Sequence, residues 1–379
     1  MEGVVENGDG AQPAPSTEEI SAEEVALYDR QIRLWGMDAQ ARYLHLFFDM
    51  VTVMRNAHIL LVTIKALGNE IAKNLVLAGI GAITVHDTEI VTEYDLGAQF
   101  FLEDGLVGMN RAEAAAPPLQ KLNPRVQVKI DTEDIEGRDV EFYKQFATVI
   151  VTEADLGTMT SINSKCREAG VAFYGGACYG LYGYSFADLI KHQFVIERDK
   201  GNIETKLGSE TRTRSIVGAT TKKESGGKFK EFVTKEEVYT PLSEVVTSQI
   251  DKTWRPKKKR GVSAVLPAIF GLWKFQADHK RLPDPYEHKE DTKLFMSAMS
   301  EAREGLGLPY ENVDPTFSLS FLDSVGTELS PVAAILGGML AQGVINFLGK
   351  REQPLQNFLV FDGDITNAPI YSLHPQEDA

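Results

Sequence analysis

The sequence predicts a doubly wound α/β fold built on a mostly parallel sheet, and three observations carry that expectation. Ile59, Leu60, Leu61 and Val62 form a short continuous apolar run, the composition of a strand buried on both faces. A turn at 63–68, a helix with Ile71, Leu75 and Leu77 on its apolar side, a stop at Ala78-Gly79 and a second strand at 83–85 follow within about 30 residues, the span of a βαβ unit. The alternation then continues with a helix over 111–122, strands over 126–130 and 148–151, a helix over 158–169 and a strand over 171–174.

The flanks read differently. Residues 1–20 mix Gly, Pro, Ser and Glu without periodic apolar positions, so a disordered tail is expected there. Ser21, with Glu24 three residues on, is an N-cap signal that opens a helix and the first α/β half, 21–190. Beyond it the alternation fails. Residues 201–237 are rich in Lys, Glu, Thr, Ser and Gly and read as a long solvated loop, while helices are expected over 262–275 and 294–306. Residues 191–300 are therefore expected to be a charged linker and helical insert. Over 301–379 the chain returns to α/β, with a helix at 331–348 and a strand at 357–361.

Composition excludes several classes of function. Thirty-nine basic residues stand against fifty-four acidic ones, a net charge of −15, which argues against a general nucleic-acid or anionic-membrane binder. The apolar run 44–54 carries His45 and Asp49 and falls short of the roughly 20 residues of a membrane span, so no span is expected. Two cysteines, Cys166 and Cys178, are too few for a disulfide scaffold, and no charged segment followed by an apolar one opens the chain; a cytosolic or nuclear protein is expected.

Five segments resemble one family in the order in which its members carry them: Tyr28-Asp29-Arg30-Gln31-Ile32-Arg33-Leu34-Trp35-Gly36, Gly68-Asn69-Glu70-Ile71-Ala72-Lys73-Asn74-Leu75, Ala78-Gly79-Ile80-Gly81, Gly97-Ala98-Gln99-Phe100 and Pro331-Val332-Ala333-Ala334-Ile335-Leu336-Gly337-Gly338. They resemble the ubiquitin-like-protein activating enzymes, and among these the small, non-cysteine subunits of heterodimeric SUMO-activating enzymes. The resemblance implies a Rossmann-like, ThiF-type fold. It also implies a large catalytic-cysteine partner subunit that binds ATP and Mg²⁺, SUMO as the activated modifier, a downstream conjugating enzyme reached through the complex, and a nuclear location with some cytoplasmic protein.

The nucleotide loop departs from the family. A phosphate-cradling turn uses glycines so that backbone N–H groups can approach the anion in front of a helix N-terminus. Thr63, Lys65 and Ala66 stand where the family has glycines, and only Gly68 survives. By resemblance Asp87 is the ribose-binding acid, and 95–100 replaces the family's Asn-Leu-Asn-Arg-Gln-Phe, losing the phosphate-directed Asn and Arg. Arg111 replaces a Lys, and Thr152-Glu153-Ala154-Asp155 replaces a Leu-Asp-Asn type segment. A degenerate pocket at Thr63, Lys65, Ala66, Gly68, Asp87 and Arg111 is expected, with no cofactor of its own. By the same resemblance Arg30 is the catalytic contribution, a cation reaching in trans into the partner's ATP site; its plainer reading is a surface helix with an Asp29–Arg33 salt bridge.

Nothing around Cys166 or Cys178 resembles a thioester-forming motif, and two cysteines without paired CxxC spacing exclude a zinc site. The run Arg255-Pro256-Lys257-Lys258-Lys259-Arg260 reads either as a nuclear-import signal or as a solvated loop. The small residues Ala333, Gly337 and Ala341 share one helix face, suited to packing within the subunit or against its partner. Residues 43–53 intervene where family members run on almost directly; mostly apolar, they read as a retained intron or an exposed loop. Rival readings are the regulatory subunit of the neddylation-activating enzyme and a nucleotide-independent scaffold for a ubiquitin-like protein or conjugation factor. An NAD dehydrogenase is the weakest, because its glycine fingerprint is broken.

Overall fold

The buried apolar runs pair into an eight-stranded sheet with the order β12-β11-β6-β5-β4-β1-β2-β3. The computed structural model describes residues 51–223, 227–312 and 314–375, all within the compact unit Met50–Ala379. The expected tail, the helix opening at Ser21, the motif around Arg30 and residues 43–50 lie outside the described residues. Strands β1 (His58–Val62), β2 (Ala82–His86), β3 (Gln127–Asp131), β4 (Thr148–Thr152) and β5 (Ala172–Tyr179) are parallel. β6 (Tyr182–Asp188), β11 (Phe358–Asp362) and β12 (Ile370–Tyr371) extend the sheet antiparallel, each to its neighbour.

Alternation along β1 divides the core. Ile59 and Leu61 face one side with α1 (Ala66–Ala78) and α2 (Arg111–Leu122), while Leu60 and Val62 face the other with α3 (Leu156–Ala169). Each helix begins and ends where its sequence directs. Asn110 and Asp155 cap α2 and α3 by accepting backbone N–H bonds, and Gly79, at φ 81°, turns the chain after α1. The parallel half and its helices match the expected elements to within a few residues.

The expected linker is corrected. β7 (Lys191–Asp199), β8 (Gly208–Ser209), β9 (Arg214–Lys223) and β10 (Phe229–Val238) form a second, antiparallel sheet in the order β7-β10-β9-β8. Cross-strand charge pairs, Lys230–Asp199 at 2.9 Å and Arg214–Glu237 at 2.5 Å among them, line it, with a thin buried face at Phe194 and Val233. Opposite charges placed across strands have the composition of a solvated loop, which is why the strands escape a reading by composition. The helical insert then follows as α4 (Pro256–Arg260), α5 (Val265–His279), α6 (Asp291–Gly305) and α7 (Pro315–Ser324).

The return helix α8 (Ser330–Gly349) is 20 residues long with a mean hydropathy of 1.7, longer than the run at 44–54. By length and composition it could cross a membrane; half of it is buried inside this fold, the behaviour of a core helix. Its stripe of Ala333, Gly337 and Ala341 is buried against α1, where a Cβ on Gly337 would lie 2.6 Å from Cβ of Glu70. The stripe thus serves packing within the chain. Of residues 43–53 only 51–53 are described; they are helical, and Val51 is buried, so the reading of the segment as surplus does not extend to Val51.

Gly337→Ala should destabilise the chain by about 1–3 kcal/mol, the usual cost of overpacking where the neighbouring atom is a Cβ with no freedom to move aside. Urea denaturation measures it, and an unchanged midpoint would show that α1 and α8 can separate without cost.

Candidate functional site

The strand order reverses between β1 and β4, so their carboxyl ends open the crevice in which doubly wound sheets place ligands. The loop 63–65 and the N-terminus of α1 form one wall of it. Thr63 adopts φ 70°, a left-handed conformation natural to the glycine it replaces, and its carbonyl accepts from Thr152 Oγ1 at 2.8 Å. Gly68 remains because a Cβ there would sit 2.5 Å from that carbonyl oxygen.

Side chains of the chain itself occupy the anion-binding groups. Glu328 Oε1 accepts the N–H of Ala66, 3.1 Å away at the start of α1, where the helix dipole favours a negative charge. Asp87, buried, accepts from the N–H of Ile64 at 2.9 Å and of Glu89 at 2.9 Å. Arg111 is likewise committed, with Nε 3.2 Å from Asp95 Oδ2 and Nη1 3.8 Å from Asp87 Oδ1. Burial opposes ionisation of Asp95, but hydrogen bonds from Thr92 and the Arg111 guanidinium hold its carboxyl below the usual range.

Glu153, also left-handed at φ 56°, projects from the end of β4 and accepts the N–H of Cys178 at 2.9 Å. Burial, and secondarily the charge of Glu328, push its carboxyl up to about 8. Glu328 is raised as well, by burial first, with Lys65 and the Ala66 N–H acting in the opposite direction. Around the crevice four carboxylates, Asp87, Asp95, Glu153 and Glu328, meet two cations, Lys65 and Arg111.

The fold therefore brings Thr63, Lys65, Ala66, Gly68, Asp87 and Arg111 together in one crevice; Arg30 lies outside the described residues. Glu328 was not singled out from the sequence. It lies 262 residues from Ala66, and its only local signal is its place just before the Ser330-Pro331 start of α8. Cys166 and Cys178 are both buried, and burial pushes both thiols up, so neither is poised as a thiolate nucleophile. Among the described residues no group of three or more His, Cys, Asp or Glu side chains is placed to hold a metal ion.

Residues 28–377 match the ThiF family, a span that starts at the Tyr28 motif and covers both halves of the eight-stranded sheet. The chain belongs to the ThiF family. It is 36% identical over 358 residues to the DNA damage tolerance protein RHC31 of Saccharomyces cerevisiae, covering 93% of this chain and 98% of that one. It is 35% identical to SUMO-activating enzyme subunit 1 of Xenopus tropicalis (93% and 96% of the two chains) and of Homo sapiens (94% and 97%). This ThiF chain is thus a homologue of SUMO-activating enzyme subunit 1. Adenylating members of the family use ATP and Mg²⁺. In this crevice the helix N-terminus is met by Glu328 and the Arg111 guanidinium is paired with Asp95.

Two outcomes follow from the strained, proton-rich crevice. Thr63→Gly should stabilise the chain by about 0.5–1 kcal/mol, because relief of a left-handed β-branched residue, about 1–2 kcal/mol, exceeds the added freedom of the unfolded glycine; no gain in a urea melt would mean that Thr63 is unstrained. Glu153 titrates near 4.5 when unfolded and about 8 when folded, so the folded state binds the extra proton and stability falls as pH rises between those values. Glu153→Gln should flatten that decline, raising the melting temperature at pH 8 and leaving it nearly unchanged at pH 4.5. Parallel pH profiles for the two proteins would overturn the assignment.

Proposed function

We propose that this chain is the non-cysteine subunit of a heterodimeric SUMO-activating enzyme, supporting ATP-dependent adenylation and thioester transfer of SUMO by a large catalytic-cysteine partner while binding no nucleotide itself. The observation that carries the reading is the Glu328 carboxylate on the Ala66 N–H, which leaves the anion site at α1 filled from within. ATP and Mg²⁺ then belong to the partner's site, where the family resemblance gives Arg30 its role: a guanidinium held near the triphosphate stabilises charge that develops on phosphorus and the leaving pyrophosphate. The buried thiols support assigning the transfer cysteine to the partner. A downstream conjugating enzyme would meet this chain only through the complex, and a mainly nuclear location with some cytoplasmic protein accords with the family.

The neddylation-activating reading is less well supported, since two of the relatives compared, matched over nearly the whole chain, are named SUMO-activating enzyme subunit 1. Co-purification with the large subunit, followed by ATP–pyrophosphate exchange with each candidate modifier, decides between them: exchange driven by SUMO is expected, and exchange driven only by another modifier would refute the proposal. The chain without its partner should give no calorimetric signal for Mg·ATP at micromolar concentrations. Arg30→Ala should leave the heterodimer assembled and slow exchange by roughly 10²-fold, the usual effect of removing one preorganised charge from such a site; unchanged exchange would make Arg30 structural.

A further inference from the structure

The basic run 255–260 is an ordered surface feature. It folds as α4, whose end is held by Asn312: buried, this side chain donates to the carbonyls of Val262 at 2.8 Å, Lys259 at 3.2 Å and Arg260 at 3.3 Å. Lys258 Nζ lies 3.3 Å above the ring centroid of half-buried Trp254, a second clamp on the same turn. Among the described residues no carboxylate comes within the 4.0 Å of an ion pair with Lys252, Arg255, Lys257, Lys258, Lys259 or Arg260. Elsewhere in the helical insert Lys274 pairs with Asp278 and Arg281 with Asp291.

Asp251, just before the run, is held below the usual carboxylate range first by hydrogen bonds from Thr253 and then by the charge of Lys258. In a protein of net charge −15, a concentration of unmatched cations on a fixed helix is a local reversal of sign.

We propose that folded α4 is a docking site for an acidic peptide segment of another protein. A short acidic segment engages the cations within a Debye length of about 10 Å, whereas a long polyanion also meets the repulsion of the surrounding acidic surface. Recognition as an extended basic signal would require the segment to leave the bonds of Asn312 and the ring of Trp254. The site reads the helical form.

Fluorescence anisotropy of a labelled deca-glutamate peptide with the full chain at low salt tests this. Lys257→Glu combined with Lys258→Glu should weaken binding by about tenfold or more, because two attractions become two repulsions. The equal reversal Lys222→Glu with Lys223→Glu, at the far end of β9, should leave it within about twofold. Asn312→Ala, with folding checked by circular dichroism, should weaken peptide binding by loosening α4. The proposal is overturned by equal loss in both reversals, by tighter binding in Asn312→Ala, by tighter binding of a decathymidine oligonucleotide than of the peptide, or by no peptide binding in the parent protein.

Discussion

The start of α1 needs an anion, and the chain supplies one. The first N–H groups of a helix have no partner within it, and the aligned peptide dipoles make that end positive. In a nucleotide-binding fold the phosphate meets both demands. Here Glu328 does so, through the Ala66 N–H, while Asp87 takes the N–H of Ile64 one turn earlier in the loop. Part of the crevice's demand for an anion is thus met from within the chain, and much of the arrangement follows from that.

Glu328 can reach this position because α8 lies along α1. The close approach at Gly337 and the buried stripe of Ala333 and Ala341 fix α8 alongside α1, so the residue just before α8 arrives at the start of α1. A packing contact thus determines an electrostatic one. The arrangement concentrates negative charge, and Glu153 bears the consequence: with Glu328 nearby and little water, its carboxyl keeps its proton into the neutral range. Paired carboxylates sharing a desolvated space do not both ionise readily, so the titration belongs to the pair rather than to one residue.

What could be read from the sequence follows the same division between local and distant causes. β1, β2 and β4 announce themselves because a strand buried on both faces must be apolar throughout, and α1, α2 and α3 because capping residues and apolar periodicity lie within a few positions of one another. β9 and β10 did not, because their charged residues pair across strands, as Arg214 with Glu237, and are opposite only after folding. In the crevice, Thr63, Lys65 and Asp87 were legible from their places in the motif. Glu328 was not, since no local pattern relates it to a residue 262 positions away.

The groups that line the crevice also hold this half of the fold together. Replacing the loop glycines alone would leave the helix N–H groups facing an empty crevice, with Thr63 strained at φ 70° for no return. Glu328 satisfies one of those groups, the Ala66 N–H, and pairing Arg111 with Asp95 keeps a buried guanidinium from standing uncompensated. The carboxylates in the crevice are thus partners of its backbone N–H groups and of its guanidinium. Re-creating a nucleotide site here would then require more than restoring glycines, because each acid removed exposes the N–H or the cation that it now serves.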